Sequence, residues 1–370
     1  MLIEHIDCYV LTVPLVTPFK TALRTVEQVQ DLIVTIHSSG LTGYGEAAPT
    51  LVITGESLAS MYFVVEQVLK PRLLGNSMLD FNQLLHIVQT SVVGNTSAKA
   101  AVEIALYDLK AQIAGLPLYQ LLGGGPVELS TNLTISVNAT ATMIDDAQKA
   151  VALGYQQLKL KVGTDLQQDI ERVIAVSRAV PASIALRLDV NQGWTAKQSI
   201  YALSKIEQAG VELELVEQPV KAQDLAGLKA VTAAVHTPVM ADESAFSPQQ
   251  VIQLLEQQAA DIINIKLMKT GGISKAMLTA QIAGLYQVPC MMGCMLESAI
   301  SVAAAAHLAS ALSPLVSKFD LDGPTLCRFN PCQGGTVFDR SHILLNSSPG
   351  LGIQQLGHLQ SAAQFLAAAN

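Results

Sequence analysis

Residues 158–163 read LKLKVG, residues 187–194 RLDVNQGW, residues 215–219 LVEQP, residues 240–244 MADES and residues 264–272 NIKLMKTGG. In each, a short apolar run ends in an ionisable side chain: Lys159 and Lys161, then Asp189, Glu217, Asp242 and Lys266. From Lys161 the successive steps are 28, 28, 25 and 24 residues, about the length of one strand, one helix and two short loops. A charge at a strand end adds nothing to a core. In a closed barrel of parallel strands, however, such ends converge on one mouth, where active sites sit.

Working outward, strands are expected around Leu133, Leu160, Leu188, Val216, Met240, Ile265, Met291 and Phe319, with helices such as Ile144–Leu153, Leu166–Ala179, Ala196–Ala209 and Leu225–Val235 between them. Eight strands joined by right-handed crossovers make an α/β chain with a TIM-like barrel. No barrel helix is evident after the last strand, so the barrel is expected as (β/α)7β over residues 126–322. The preceding part, residues 1–125, gives strands and then helices, an α+β capping domain. DLIVTIHSSGLTGYGEA (31–47) reads as a hairpin about Ser39-Gly40, and TSAKAAVEIALYDLKAQIAG (96–115) is the strongest helical signal. PFKTALRT (18–25) is too polar for a core and carries Lys20 and Arg24 on a loop. It reads either as a solvated connection or as a flap that brings a cation over a site. Residues 323–370 are turn-rich, and this segment is expected to return to the capping domain with a last helix near Ser361–Ala369.

The 370 residues suit one barrel and a smaller domain, and half of them are hydrophobic against 14% charged. A net charge of −8 without a basic stripe excludes a general nucleic-acid binder. The five cysteines lack CxxC spacing and read as buried free thiols suited to a reducing cytoplasm. The first residues show no basic region before an apolar core, so no signal peptide is expected. Ala299–Val316 reads as a barrel helix and not a membrane span, because alanine, serine and His307 dominate it. GYGE, GGGP and KTGG match no phosphate-binding loop. An exposed helical ring leaves a homo-oligomer open.

Residues two apart on a strand share a face, so Lys159 and Lys161 point together. Asp189 and Asn191 repeat that spacing. In a ring of eight, strands two and six are opposite, so Lys161 and Lys266 face each other across Asp189, Glu217 and Asp242. Any one acid alone reads equally as a salt-bridge partner. Three at consecutive strand ends repel unless a cation neutralises them, and Mg2+ with oxygen ligands fits. A neighbouring Lys159 and a dication would lower the pKa of Lys161 toward that of a useful base. Removing the proton beside a bound carboxylate gives an enediolate that the metal stabilises. A lysine on the opposite face returns a proton and inverts the centre.

The pattern K-x-K, D-x-N, E-Q-P, D-E-S and N-I-K-x-x-K-x-G-G resembles the enolase superfamily, in its muconate-lactonizing branch. Enzymes of that superfamily pair a lysine or histidine base with Mg2+. The resemblance implies that Asp189, Glu217 and Asp242 bind Mg2+, that Lys161 and Lys266 are the acid/base pair, and that Lys159 tunes the site. KFDLDGP (318–324) puts Asp320 and Asp322 on one face of strand eight, across the mouth from the metal acids, where they would hold a cationic group. A dipeptide, with a carboxylate at one end and an ammonium at the other, fits. This D-x-D resembles the superfamily's dipeptide epimerases, and PFKTALRT with TLVITGES (50–57) resembles the Ala-Glu group among them. The resemblance then implies that Arg24, with Lys20 a weaker candidate, meets a glutamate side chain, as in cell-wall peptide turnover. Glu297, Ser298 and Thr134 are expected to line the substrate pocket. Strands six and seven carry no histidine, unlike the mandelate-racemase branch. Muconate cycloisomerase or o-succinylbenzoate synthase-like chemistry is the alternative on the same scaffold, but those substrates offer no ammonium. A Schiff-base aldolase and a non-catalytic binding protein are the remaining rivals.

Overall fold

The first 50 residues form antiparallel strands His5–Lys20, Thr25–Ser38 and Leu41–Ala47 in a computed structural model that describes residues 1–368. Ser39 and Gly40, at φ 53° and 79°, make the tight turn of the second hairpin, the conformation a two-residue connection requires. In the first hairpin the register breaks between Pro14 and Phe19 and resumes with the pairs Phe19–Val26 and Lys20–Thr25. PFKTALRT is therefore a hairpin tip, not an irregular loop. Its turn is tied by the Thr21 N–H to the Arg24 carbonyl at 3.0 Å, and Thr21 Oγ1 accepts from the N–H groups of Leu23 and Arg24.

Helix Thr96–Ala114 packs on this sheet and is buried around nearly its whole circumference. A Cβ on Gly43 or Gly45 would overlap the carbonyls of Ala105 or Ala101, so GYG opposite AAVEIA lets the helix and sheet backbones approach closely. Gly115 ends the helix at φ 68°, the left-handed cap that glycine adopts without strain. At the far end of the chain, Leu359–Ser361 adds an edge strand to the first one (Tyr9↔Ser361 through Leu11↔Leu359), and helix Ala362–Ala368 follows. The expected helix end at Ala369 lies outside the described residues.

Barrel strands one to eight are Leu133–Ile135, Gln157–Lys161, Ala185–Asp189, Leu213–Glu217, Val239–Ala241, Ile262–Ile265, Cys290–Gly293 and Val316–Asp320, parallel and in sequence order. All the expected strand centres fall within them. Eight helices fill the seven crossovers, the sixth holding both Leu267–Thr270 and Ile273–Leu285, and the four-residue helix Gly323–Leu326 directly follows strand eight. The sequence marks several helix starts: the side chains of Asp165, Thr195, Asp224 and Ser247 each accept a first-turn N–H. Side chains join strands eight and one. The Leu321 N–H donates to Thr131 Oγ1 (2.8 Å), and the Thr134 N–H to Asp322 Oδ2 (2.7 Å).

Two barrel helices are capped from outside the barrel. Glu103 accepts from the Ser274 N–H and hydroxyl, both at 2.7 Å, at the start of helix Ile273–Leu285. Glu46 accepts from the N–H groups of Ser298 (3.0 Å) and Ser301 (2.8 Å) at the start of helix Ala299–Ala311. A carboxylate at a helix N-terminus satisfies orphan donors and meets the positive end of the helix dipole. These bonds pin the N-terminal sheet and helix 96–114 to the barrel. Among the described residues no helix is long and apolar enough to cross a membrane.

Candidate active site

Strand two alternates Leu158 and Leu160 with Lys159 and Lys161, and all four are buried. The register sets Lys161 beside Asp189 and Asp189 beside Glu217, so three charged strand ends stand shoulder to shoulder. Asp242 follows strand five, and Lys266 ends strand six as the N-cap of helix Leu267–Thr270. Lys161 Nζ lies 2.5 Å from Asp189 Oδ2 and 3.1 Å from Asn191 Oδ1. Lys266 Nζ lies 2.7 Å from Asp242 Oδ2 and 3.7 Å from Glu217 Oε1. Lys159 is shared among Asp189 (3.5 Å), Glu217 (3.7 Å) and, closest, Asp320.

These contacts divide the acids. Burial, with Asp189 beside it, pushes the Glu217 carboxyl up to about 8. Burial and then Asp242 push Glu243 up to about 7. Burial would raise Asp189 and Asp242 too, but Lys161 and Lys159 outweigh it for the first, and Lys266 and Lys269 for the second, so both are lowered. Burial would lower Lys266 and Lys159, yet the carboxylates of Asp242 and Asp320 respectively, with Glu217, hold both above the ordinary lysine value.

Among the described residues no three His, Cys, Asp or Glu side chains are gathered in a metal-holding arrangement. Asp189 is paired with Lys161 and Lys159, Asp242 with Lys266 and Lys269, and Glu217 lies 3.7 Å from both Lys159 and Lys266. The chemistry of the donor set nevertheless fits a hard dication. Six buried carboxyls at the mouth (Asp189, Glu217, Asp242, Glu243, Asp320 and Asp322) face four buried ammonium groups (Lys159, Lys161, Lys266 and Lys269). With every group ionised, two negative charges remain. Glu217 Oε2 is buried without a hydrogen-bond partner, and such an oxygen is satisfied by a proton or a cation.

Lys161 and Lys266 line one cavity with Asp320 and Asp322 of the strand-eight end. The first hairpin contributes Phe19, Leu23 and Arg24 to its roof, and the 50–57 stretch contributes Val52 and Ile53. Burial lowers the pKa of Arg24, partly offset by Asp31. Asp322 Oδ2 is tied to the Thr134 N–H, and Thr134 itself lines the cavity. Lys20 turns away from the acids, its Nζ reaching Asn138 Oδ1 at 3.3 Å.

Ser298 and Glu297 are not among the residues that line this cavity. Cys294, Met295 and Leu296 wall the cavity on the strand-seven side. Ser298 donates its N–H to Glu46, and its fully buried hydroxyl has no partner. Glu297 accepts from the Met295 N–H and the Ser301 hydroxyl.

Three residues had no role assigned from the sequence, although two of them, Lys269 and Asn264, stand in the N-I-K-x-x-K-x-G-G pattern. Lys269 is wholly buried and grips Asp242 at Oδ1 and its carbonyl, both 2.6 Å. Asn264 Nδ2 donates to Glu217 Oε1 at 2.8 Å. Gly293 leaves the space that Lys266 occupies. The N-x-K and K-x-x-K spacings of residues 264–269 are the signals that could have found the first two. The two remaining curiosities are structural: His307 Nδ1 accepts from the Tyr119 N–H at 3.2 Å, and all five cysteines are free.

The whole chain has known counterparts. Residues 5–123 match the mandelate racemase / muconate lactonizing enzyme N-terminal domain, and residues 142–356 the enolase C-terminal domain-like family. The L-Ala-D/L-Glu epimerase of Clostridium acetobutylicum is 48% identical over 97% of this chain and 100% of its own length. The enzyme of the same name from Bacillus subtilis is 48% identical over 95% of this chain and 97% of its own. A substrate-liganded structure of the Bacillus subtilis enzyme superposes with a TM-score of 0.94, covering 96% of this chain and 100% of that one. The Enterococcus faecalis dipeptide epimerase complexed with Mg and L-Leu-L-Tyr superposes at 0.92 with 39% identity, covering 96% and 100%. With strand-end chemistry, fold and sequence in agreement, the chain belongs to the mandelate racemase / muconate lactonizing enzyme family of the enolase superfamily.

Proposed function

We propose that this protein is a Mg2+-dependent dipeptide epimerase that inverts the α-carbon of the C-terminal residue, with L-Ala-D/L-Glu as the preferred substrate. In this reading residues 1–125 cap a catalytic barrel of residues 126–322, and residues 323–370 complete the cap. One observation carries it: a single cavity is walled by lysines from opposite strands two and six, by the paired acids of strand eight, and by Arg24 from the hairpin above.

Asp189, Glu217 and Asp242 would hold the Mg2+. When bound, the ion supplies positive charge beside the substrate carboxylate and so stabilises the negative charge that grows there as the α-proton leaves. Lys161 and Lys266 hold and deliver that proton from opposite sides, one taking it and the other returning one. Lys159 adds a third positive charge next to the carboxylate. Asp320 and Asp322 receive the ammonium, and Arg24 meets the glutamate side chain. Cycloisomerase-type substrates bring no cation to the strand-eight acids, which favours the dipeptide.

The test is a dipeptide library incubated in D2O with Mg2+, read as mass gain at the α-carbon. Ala-Glu should gain one deuteron at the C-terminal residue, and EDTA should stop the gain until Mg2+ is restored. Exchange that persists in the Lys161→Ala/Lys266→Ala double variant would sink the two-lysine mechanism, and no exchange with any dipeptide would sink the function.

A further inference from the structure

We propose that Asn132 and Arg187 are positioning residues that aim the Asp320 carboxylate at the substrate's ammonium and so enforce a free amino terminus. The inference rests on the dipeptide reading above and deepens it.

Arg187 lies on strand three, two residues before Asp189 and on the same face, and is 3% exposed. Its Nη1 donates to Asn132 Oδ1 and to the Phe319 carbonyl, both at 2.7 Å. Its Nε donates to Glu214 Oε2 at 2.6 Å, and Glu214 Oε1 accepts from Lys318 Nζ at 2.5 Å. A guanidinium can only donate. Asn132 must therefore turn its carbonyl toward Arg187, which leaves its NH2 to face strand eight. There Asn132 Nδ2 donates to Asp320 Oδ1 at 2.8 Å.

The direction of this buried chain is thus set from beneath the site. Without Arg187 the asparagine amide could flip and present its carbonyl to a carboxylate. With Arg187 in place, Asp320 has one oxygen held by Asn132 and the other, Oδ2, left for a cation. In this structure Lys159 takes that oxygen. An incoming ammonium has the same charge and the same donor character as the Lys159 head group, so Asp320 Oδ2 is a ready cation acceptor. Asn132 also spans the seam between strands one and eight. A merely seam-closing role would be felt in stability and not in the choice between a free and a blocked amino end.

The experiment uses the Mg2+-loaded enzyme with L-Ala-L-Glu and with N-acetyl-L-Ala-L-Glu, the latter as substrate or competitive inhibitor. Asn132→Leu removes the donor at similar volume. A hydrogen bond to a charged group contributes about 1.5–3 kcal/mol, so KM for the free dipeptide should rise about 10- to 100-fold. The value of kcat should stay within about threefold, and binding of the acetylated compound should not change. Asn132→Ser keeps a shorter donor and should give a smaller rise in the same direction; it decides the matter if the leucine variant does not fold. A folded variant that weakens both compounds equally, or neither, overturns the proposal. Wild-type enzyme that binds both compounds equally would instead refute the dipeptide reading itself.

Discussion

Gly293 ends strand seven beside Lys266, and replacing it with alanine tests the site mainly on one side. The position is not in the left-handed region, so alanine meets a problem of space and not of backbone strain. Its Cβ would lie 2.7 Å from Asn264 Oδ1 and 3.1 Å from Lys266 Cε. Carbon atoms pack comfortably at about 3.5–4.0 Å, so the lysine chain must retreat by roughly 0.5 Å or more. Asn264 must also turn, and its amide is what holds Glu217 Oε1. A misplacement of about 1 Å at a reacting group lowers the rate up to ~100-fold. We expect kcat to fall about 10- to 100-fold, with a stability loss of ~1–3 kcal/mol from overpacking. The loss should be lopsided. Lys161 stands on strand two with Asp189 and Asn191, away from the added methyl. Movement of Asn264 and Glu217 slows uptake from both epimers, but the epimer whose α-proton faces Lys266 should lose the larger share of its early deuterium uptake. Initial uptake from each pure epimer, followed by mass spectrometry, measures this directly. Equal slowing from both epimers, or none, would refute the placement of Lys266.

Lys161→Ala and Lys266→Ala should each cut epimerisation by about 10²–10⁴, the usual contribution of a positioned acid or base, while each leaves uptake from one epimer; single variants that still epimerise at the wild-type rate would contradict the two-sided transfer. Arg24→Met should raise KM for Ala-Glu about 10- to 100-fold, as loss of a charged hydrogen-bond donor does, and leave uncharged dipeptides nearly unaffected; an equal loss for both kinds would remove Arg24 from the specificity site. Burial holds the His307 imidazole down at about 4, and its Nδ1 accepts the Tyr119 N–H. The unfolded chain therefore takes up the proton first as pH falls. The stabilisation is whole above about pH 6.5 and is lost progressively toward pH 4, by at most ~3 kcal/mol. Urea melts at pH 7 and pH 5 should show a smaller drop for His307→Phe than for wild type, and parallel drops would contradict it.

The barrel and its mouth were legible because charges interrupt apolar strands with a period of two. That signal is strong in a chain with so few charged residues, and it placed Lys161, Asp189, Glu217, Asp242 and Lys266 on adjoining or opposite strands. The same period carried Arg187 below Asp189 and Asn264 below Lys266, but one strand does not reveal what faces its lower layer across the ring. Arg187 meets Asn132, 55 residues away, and Glu46 meets Ser301, 255 away. Nothing local in GYGEA announces a helix 250 residues later. Ser298 shows the same limit: no local signal announces that its N–H donates to Glu46, 252 residues away. The PFKTALRT tip was legible as polar and ambiguous in purpose, since only the three-dimensional register shows the hairpin reaching the cavity.

Charge balance ties the proposed ligands to one another. The fully ionised mouth has two more carboxylates than ammonium groups, which matches one divalent cation. A zwitterionic dipeptide then adds one charge of each sign and leaves that balance intact. A glutamate side chain adds a single further negative charge, and Arg24, whose guanidinium forms no salt bridge among the described residues, is the one cation that the hairpin brings to the cavity wall. A substrate with a carboxylate and no ammonium would leave one negative charge uncompensated in a buried site, where an unpaired charge costs several kcal/mol. The count of buried charges thus supports the same proposed substrate as their positions do: a peptide with a free amino end, one main-chain carboxylate and one acidic side chain. A variant that alters this count, such as Asp322→Asn, should move the preference toward N-blocked peptides. Unchanged discrimination between Ala-Glu and its N-acetyl derivative in that variant would break the link between charge count and specificity.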